Sequence, residues 1–300
     1  MTNALLVPLL YTLLLPQAQG PDPFKISVNV DLVMLNATVR TRDNRLVSDL
    51  PQSSFEVYED GIKQSLRVFR HEDTPVTVGL VIDHSGSMRN KLLDVIAAAR
   101  TFVKTSNPAD ELFVVNFNEH VILGLPTTEN FTSRSSELAS AIARTPTIGM
   151  TALYDAVAKS LEQLRMGKFE KTALVVISDG GDNASKHALP EILQMLGKSN
   201  SLLYAVGLFE PGDTDSNPGV LKKLAQGTGG EAYFPKLDDV VGVCERIAHD
   251  IRSQYTLGYV SSNAAGKPGT PRKIRVVAHG TDRTSLIVRA RGSYVAAGSQ

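Results

Sequence analysis

The chain has 300 residues, 42% of them hydrophobic, enough to bury one large core or two smaller ones. Lys and Arg number 31 and Asp and Glu number 31, so the net charge is zero and no overall field favours nucleic acid or an anionic membrane surface. One cysteine, Cys244, excludes an intrachain disulfide.

Residues 4–15 are apolar apart from Thr12, a run too short for the ~20 residues of a membrane helix. Ala18-Gln19-Gly20 places small residues at the −3 and −1 positions of a cleavage site, so residues 1–20 read as a secretory signal peptide cut after Gly20. Its n-region carries no Lys or Arg, only the amino terminus. The mature chain is then expected in the periplasm or cell envelope, or secreted, with no integral membrane segment after cleavage. Export without a disulfide requires a stable core, which fits a bacterial secreted chain.

Residues 21–73 read as β-structure. Ile26, Val28, Val30 and Leu32 alternate with polar residues, and the phase then slips to Val33, Leu35, Ala37 and Val39. Strands at 55–59 and 62–69 flank Asp60-Gly61, the two-residue signal of a type I′ hairpin.

From 74 to 252 strands alternate with helices. Apolar runs predict strands at 76–82, 111–117, 120–125, 172–178, 201–208 and 231–235. Helical spacing predicts helices at 88–105, 133–144, 151–166, 187–198, 217–226 and 238–252. Such alternation implies a mostly parallel sheet covered on both faces, and the short gap Asn118-Glu119 predicts one antiparallel edge pair. In the last helix Val240, Cys244, Ile247 and Ile251 form an apolar stripe, so Cys244 reads as a small buried hydrophobe.

Residues 253–300 return to strands, at 254–260, 273–278 and 285–290, around a Gly/Pro/Ser-rich loop at 261–271. Three strands make a poor core alone, so they are expected to join the strands of 21–73 in a small β-sandwich into which the α/β domain is inserted. Arg272, Lys273, Arg275, Arg289 and Arg291 read first as a solvated sheet face and second as a surface for an anionic partner.

Three segments carry chemistry. The strand at 76–82 runs into Asp83-His84-Ser85-Gly86-Ser87, which sets a carboxylate and two alternating hydroxyls at a carboxyl edge, the donor set of a magnesium-type site. Thr151 opens a predicted helix after Gly149-Met150, and Asp179 follows the strand at 172–178. A lone Asp-x-Ser-x-Ser is a weak signal, since Ser and Asp cluster in loops and at helix N-caps; three elements in order, each at a strand end or helix start, are a strong one. His84 reads as a solvent-facing spacer, because His71, His120, His187, His249 and His279 stand at no ligand-like spacing from it. Asp182 and Asn183 read as turn residues, and Asp155 either steadies the Thr151 loop or is a solvated charge.

Asp83, Ser85, Ser87, Thr151 and Asp179 together resemble the metal-ion-dependent adhesion site of von Willebrand factor A and integrin I domains, the pattern D-x-S-x-S, then T, then D, with no departure at any position. The resemblance implies a doubly wound, Rossmann-like α/β sheet whose first and fourth strands, here those ending at Asp83 and Asp179, flank the point where strand order reverses. It also implies Mg²⁺, or Mn²⁺ or Ca²⁺, bound near the hydroxyls of Ser85, Ser87 and Thr151, with Asp83 and Asp179 partly engaged through water. Such a cation takes an Asp or Glu carboxylate of a protein partner, which makes the chain an adhesion-type binding protein and no enzyme. Over nearly all of the mature chain the sequence also resembles secreted bacterial von Willebrand factor A-related proteins, through the Phe-Glu-Val-Tyr-Glu-Asp-Gly hairpin, the Leu-Gly-Tyr strand and the closing Arg289, Arg291 and Tyr294.

Two other readings stand beside adhesion. One is a scaffold with a purely structural ion. The other is a metal-dependent phosphoryl transferase with Asp83 as nucleophile; that chemistry needs groups to hold a phosphate, yet no G-x-x-x-x-G-K-[ST] occurs and Arg89 is the one cation within the three motifs.

Overall fold

The computed structural model describes residues 32–71, 73–209, 215–262, 270–280, 282 and 284–295. The expected signal peptide and the alternation at Ile26, Val28 and Val30 lie outside them. Chain order begins with β1 (Leu32–Arg40), β2 (Phe55–Glu59), β3 (Ile62–Gln64), β4 (Leu66–Arg70), β5 (Thr77–Asp83), α1 (Leu92–Thr105), β6 (Glu111–Phe117), β7 (Val121–Leu123), α2 (Ser135–Ala143) and α3 (Leu153–Leu164). It continues with β8 (Thr172–Ser178), α4 (Leu189–Lys198), β9 (Leu202–Gly207), α5 (Pro218–Gln226), β10 (Ala232–Tyr233), α6 (Val240–Arg252), β11 (Tyr255–Val260), β12 (Pro271–Ala278), β13 (Ile287–Arg289) and β14 (Ser293–Val295).

A six-stranded sheet of order β10-β9-β8-β5-β6-β7 forms the centre. All its pairings are parallel except β6 with β7, the antiparallel edge pair that Asn118-Glu119 predicts. Every residue of β5 is buried, because helices cover both faces of a parallel sheet and leave its strands no polar side. The helices present apolar stripes to it, such as Val95, Ala98, Ala99 and Phe102 of α1 and Val243, Cys244, Ile247 and Ile251 of α6. The architecture is α/β with a mixed, mostly parallel sheet. Among the described residues no helix is long and apolar enough to cross a membrane.

Two further sheets each draw strands from both ends of the chain. One has the order β13-β1-β11-β4 and the other β14-β12-β2-β3. Val33, Leu35, Leu257 and Tyr259 of the first share a buried cluster with Val57, Ile274 and Tyr294 of the second. The hairpin turn has Asp60 at φ 48° and Gly61 at φ 84°, both left-handed, as a type I′ turn demands. The single strand expected at 62–69 is two: β3 pairs with β2 and β4 pairs with β11. The chain changes sheets at Ser65, next to Gln64, whose side chain is buried and exchanges hydrogen bonds with Ser262. The expected strand at 285–290 is shorter, and β14 follows it where none was expected.

The solvated basic face also needs correction. Along β12, Arg272 shares the buried parity with Ile274, while Lys273 and Arg275 point outward. Arg272 is only 5% exposed; its Nη1 donates to Glu59 Oε1 at 2.7 Å, and Glu59 also accepts from Tyr259, Ser261 and Tyr294. Arg291 donates to Asn200 Oδ1 and the Gly197 carbonyl, and Arg289 pairs with Glu231. A buried guanidinium is stable only with such partners, and these lie far off in sequence.

Candidate metal centre

β5 leads through α1 to β6 on one side, and β8 leads through α4 to β9 on the other. The chain therefore leaves these neighbouring parallel strands in opposite directions and opens a crevice at their carboxyl ends, where open α/β sheets take ligands. Ile82 is in register with Ile177, so Asp83 closes one strand opposite Ser178 and Asp179 at the end of the other.

Both carboxylates are held by short local contacts. Asp83 Oδ1 accepts from the Ser85 N–H at 2.8 Å and Oδ2 from the Ser178 hydroxyl at 2.6 Å. Asp179 Oδ1 accepts from the Gly181 N–H at 3.0 Å, and Oδ2 accepts from the Ser87 hydroxyl. The Ser85 and Ser87 hydroxyls lie 3.1 Å apart. Gly180, at φ 82°, brings the backbone against the Asn217 carbonyl, which a Cβ would meet at 2.4 Å.

Thr151 joins from a third loop. Gly86 N–H donates to the Gly149 carbonyl at 3.2 Å, Thr151 N–H to Asn183 Oδ1 at 2.8 Å, and Asn183 N–H back to the Thr151 carbonyl at 3.0 Å. Thus Ser85, Ser87 and Asp179 are linked through their side chains, Asp83 joins them through the Ser85 N–H, and Thr151 is tied in through its backbone. It stands two residues before α3 rather than at its first turn.

Burial pushes the Asp83 carboxyl up to about 6, and the Asp179 charge adds to the rise, against hydrogen bonds from Ser178 and Ser85. Among the described residues neither carboxylate is paired with a Lys or Arg; the nearby buried Lys91 donates instead to the Leu208 carbonyl at 2.9 Å. Two buried carboxylates without a Lys or Arg partner, beside the Ser85 and Ser87 hydroxyls, fit a hard dication, which would offset the cost of burying them. Among the described residues no group of three or more His, Cys, Asp or Glu is placed to hold a metal, so a site here has to combine carboxylates with hydroxyls.

His84 is not a solvent-facing spacer but fully buried, with Nε2 3.2 Å from Asn116 Oδ1 on β6. Burial lowers its pKa, and its backbone bonds both Phe117 and Ile148. Asp182 and Asn183 brace the third loop, since Asp182 accepts from Tyr154 N–H and the Ser185 hydroxyl. Asp155 accepts from the N–H groups of Lys186 and His187, so it steadies the chain beyond Asp179. Sequence reasoning missed Ser178, Asn118 and Glu119. Ser178 is legible in hindsight as a hydroxyl one residue before Asp179; the other two act from the β6–β7 turn on a loop some thirty residues away.

A family model described as von Willebrand factor type A domain matches residues 78–181. No curated protein matches the sequence. Among solved structures, a von Willebrand factor type A protein from Catenulispora acidiphila is 16% identical, with a TM-score of 0.54 over 80% of this chain and 72% of that one. The von Willebrand factor domain of the type V pilus tip protein Mfa5 from Porphyromonas gingivalis is 14% identical, with a TM-score of 0.50 over 59% of this chain and 95% of that one. Proximal thread matrix protein 1 from the mussel byssus, solved with a zinc-occupied MIDAS motif, is 15% identical, with a TM-score of 0.50 over 64% of this chain and 49% of that one. At these identities the likeness is one of fold. The family match covers β5 to β8, and the central α/β body of this chain has the fold of von Willebrand factor type A domains.

Proposed function

We propose that this chain is an exported protein-binding domain that grips an Asp or Glu carboxylate of a protein partner through a divalent cation, Mg²⁺ or Mn²⁺, held by Asp83, Ser85, Ser87, Thr151 and Asp179. The observation that carries the reading is the crevice itself: two buried carboxylates at neighbouring strand ends, with no cationic partner among the described residues, Asp83 accepting from the Ser85 N–H and Asp179 from the Ser87 hydroxyl. A dication held largely by neutral hydroxyls keeps enough charge to attract one further anion. The zinc-occupied motif of the mussel protein and the pilus-tip setting of Mfa5 agree with a metal-dependent binding role. Export rests on residues 1–20. The division into an inserted domain of 74–252 and a module of 21–73 with 253–300 is supported by the pairing of β1 with β11 and of β2 with β12. Titration calorimetry tests the metal assignment: wild type should bind Mg²⁺ and Asp83→Ala should not. Equal binding by both would sink it.

A further inference from the structure

The loop that carries Thr151 is pinned along its backbone. Ile148 N–H donates to the His84 carbonyl at 2.9 Å, and the Ile148 carbonyl accepts from Asn118 Nδ2 at 3.1 Å. Met150 N–H donates to Glu119 Oε2 at 2.9 Å, and Ala152 N–H to the Asn118 carbonyl at 2.7 Å. Gly149 stands at φ 92°, where a Cβ would run into the Glu119 carboxylate at 1.8 Å; the glycine lets the loop rest on that side chain.

On this fixed backbone Ile148 is 55% exposed and Met150 54% exposed. They flank a residue without a side chain and stand directly before Thr151. Single exposed aliphatic residues are ordinary on a surface, but two of them, displayed by a pinned loop at the rim of a ligand crevice, form apolar surface that folding leaves uncovered. Because the loop is already ordered, a partner seated there would lose little to ordering it.

We infer that the partner's metal-binding acidic residue is flanked by a large aliphatic side chain, which packs on Ile148 and Met150. Charge favours an apolar neighbour over a second acid, since the Glu119 carboxylate lies against this same loop and is itself 33% exposed. The inference rests on the metal-dependent reading of the site and adds the chemistry of the residue beside the carboxylate.

The test uses the full chain and two capped peptides, Gly-Leu-Glu-Leu-Gly and Gly-Ser-Glu-Ser-Gly, titrated by NMR in Mg²⁺ and in chelator. Taking one leucine side chain, on whichever side of the Glu meets the loop, out of water should make the leucine peptide bind at least about tenfold tighter in Mg²⁺. The double variant Ile148→Ser/Met150→Ser, altered only at exposed positions, should keep its Mg²⁺ affinity and lose that preference. Equal Mg²⁺-dependent binding of the two peptides overturns the inference and leaves the metal reading intact. A preference that survives in the double variant overturns the assignment to Ile148 and Met150. Failure of both peptides to bind in Mg²⁺, or binding indifferent to chelator, removes the metal reading and the inference with it.

Discussion

Replacing Asp83 by Asn should stabilise the metal-free protein at neutral pH and remove its response to Mg²⁺. Asp83 is fully buried and its carboxyl stands at about 6 against an ordinary value of 3.8. The unfolded chain therefore releases this proton near 3.8 and the folded chain near 6. Between those values the folded state holds more protons, so stability falls as pH rises from about 3.8 to about 6 and stays lower above. Two units correspond to ~3 kcal/mol at pH 7.5. Asn is neutral and keeps an acceptor for the Ser85 N–H, but it gives up charge-assisted hydrogen bonds worth about 1 kcal/mol, leaving a net gain of ~1–2 kcal/mol. Mg²⁺ at 100 times its dissociation constant should in turn add ~2.7 kcal/mol to wild type and nothing to the variant. Urea unfolding in chelator at pH 4 and 7.5, then in Mg²⁺, reads all three effects. Wild type more stable than Asp83→Asn in chelator at pH 7.5 would refute the burial argument, and an equal Mg²⁺ response would refute the site.

Thr151→Ala should keep the fold and measurable Mn²⁺ binding by calorimetry while abolishing chelator-sensitive capture of the protein partner; capture equal to wild type at saturating metal contradicts the coordination scheme. Arg40→Met strips the buried Asp250 of its ion pair across β1 and α6 and should cost ~3 kcal/mol in urea unfolding, much of it regained in Arg40→Met/Asp250→Leu. An undiminished loss in the double variant would show that packing, not charge, sets the cost. Deleting 253–300 removes the partners of β1 and β2 and should expose 24–72 to limited proteolysis while a 74–252 fragment still folds; continued protection of 24–72 would count against an inserted domain.

The central sheet was legible because buried parallel strands have no polar face to confuse the pattern, and β5 and β8 end where their apolar runs end. The same logic located Asp83 and Asp179 at strand ends, and the resemblance implied that those strands flank one crevice. Where the reading failed, the missing information was a partner distant in sequence. Period-2 alternation states which side of β12 Arg272 faces, but not that Glu59, 213 residues earlier, waits there. At His84 the lack of another histidine at ligand-like spacing left a solvent-facing spacer as the reading, and Asn116 on the adjacent strand makes it a buried side chain. Ser65 looks like any polar residue in a strand, and only the competition of two sheets for the flanking segments turns it into a crossing.

The candidate site itself divides along this line. Asp83 and Asp179 take their positions from β5 and β8, whose in-register pairing fixes the distance between strand ends as firmly as any feature of the fold. Thr151 lies outside the sheet. Its loop is set by other loops, through backbone bonds to His84, Gly86 and Asn118 and through the side chains of Asn118, Glu119 and Asn183. Carboxylates placed by a ladder of backbone hydrogen bonds resist displacement, because moving one means breaking the sheet; a hydroxyl on a loop that three side chains help to hold can be shifted by changing one of them. Under the proposed reading, then, the part of the site that binds charge is built into the rigid sheet. The hydroxyl and the apolar pair beside it, which shape what the cation accepts, sit on the part that point substitutions can retune without unfolding the domain.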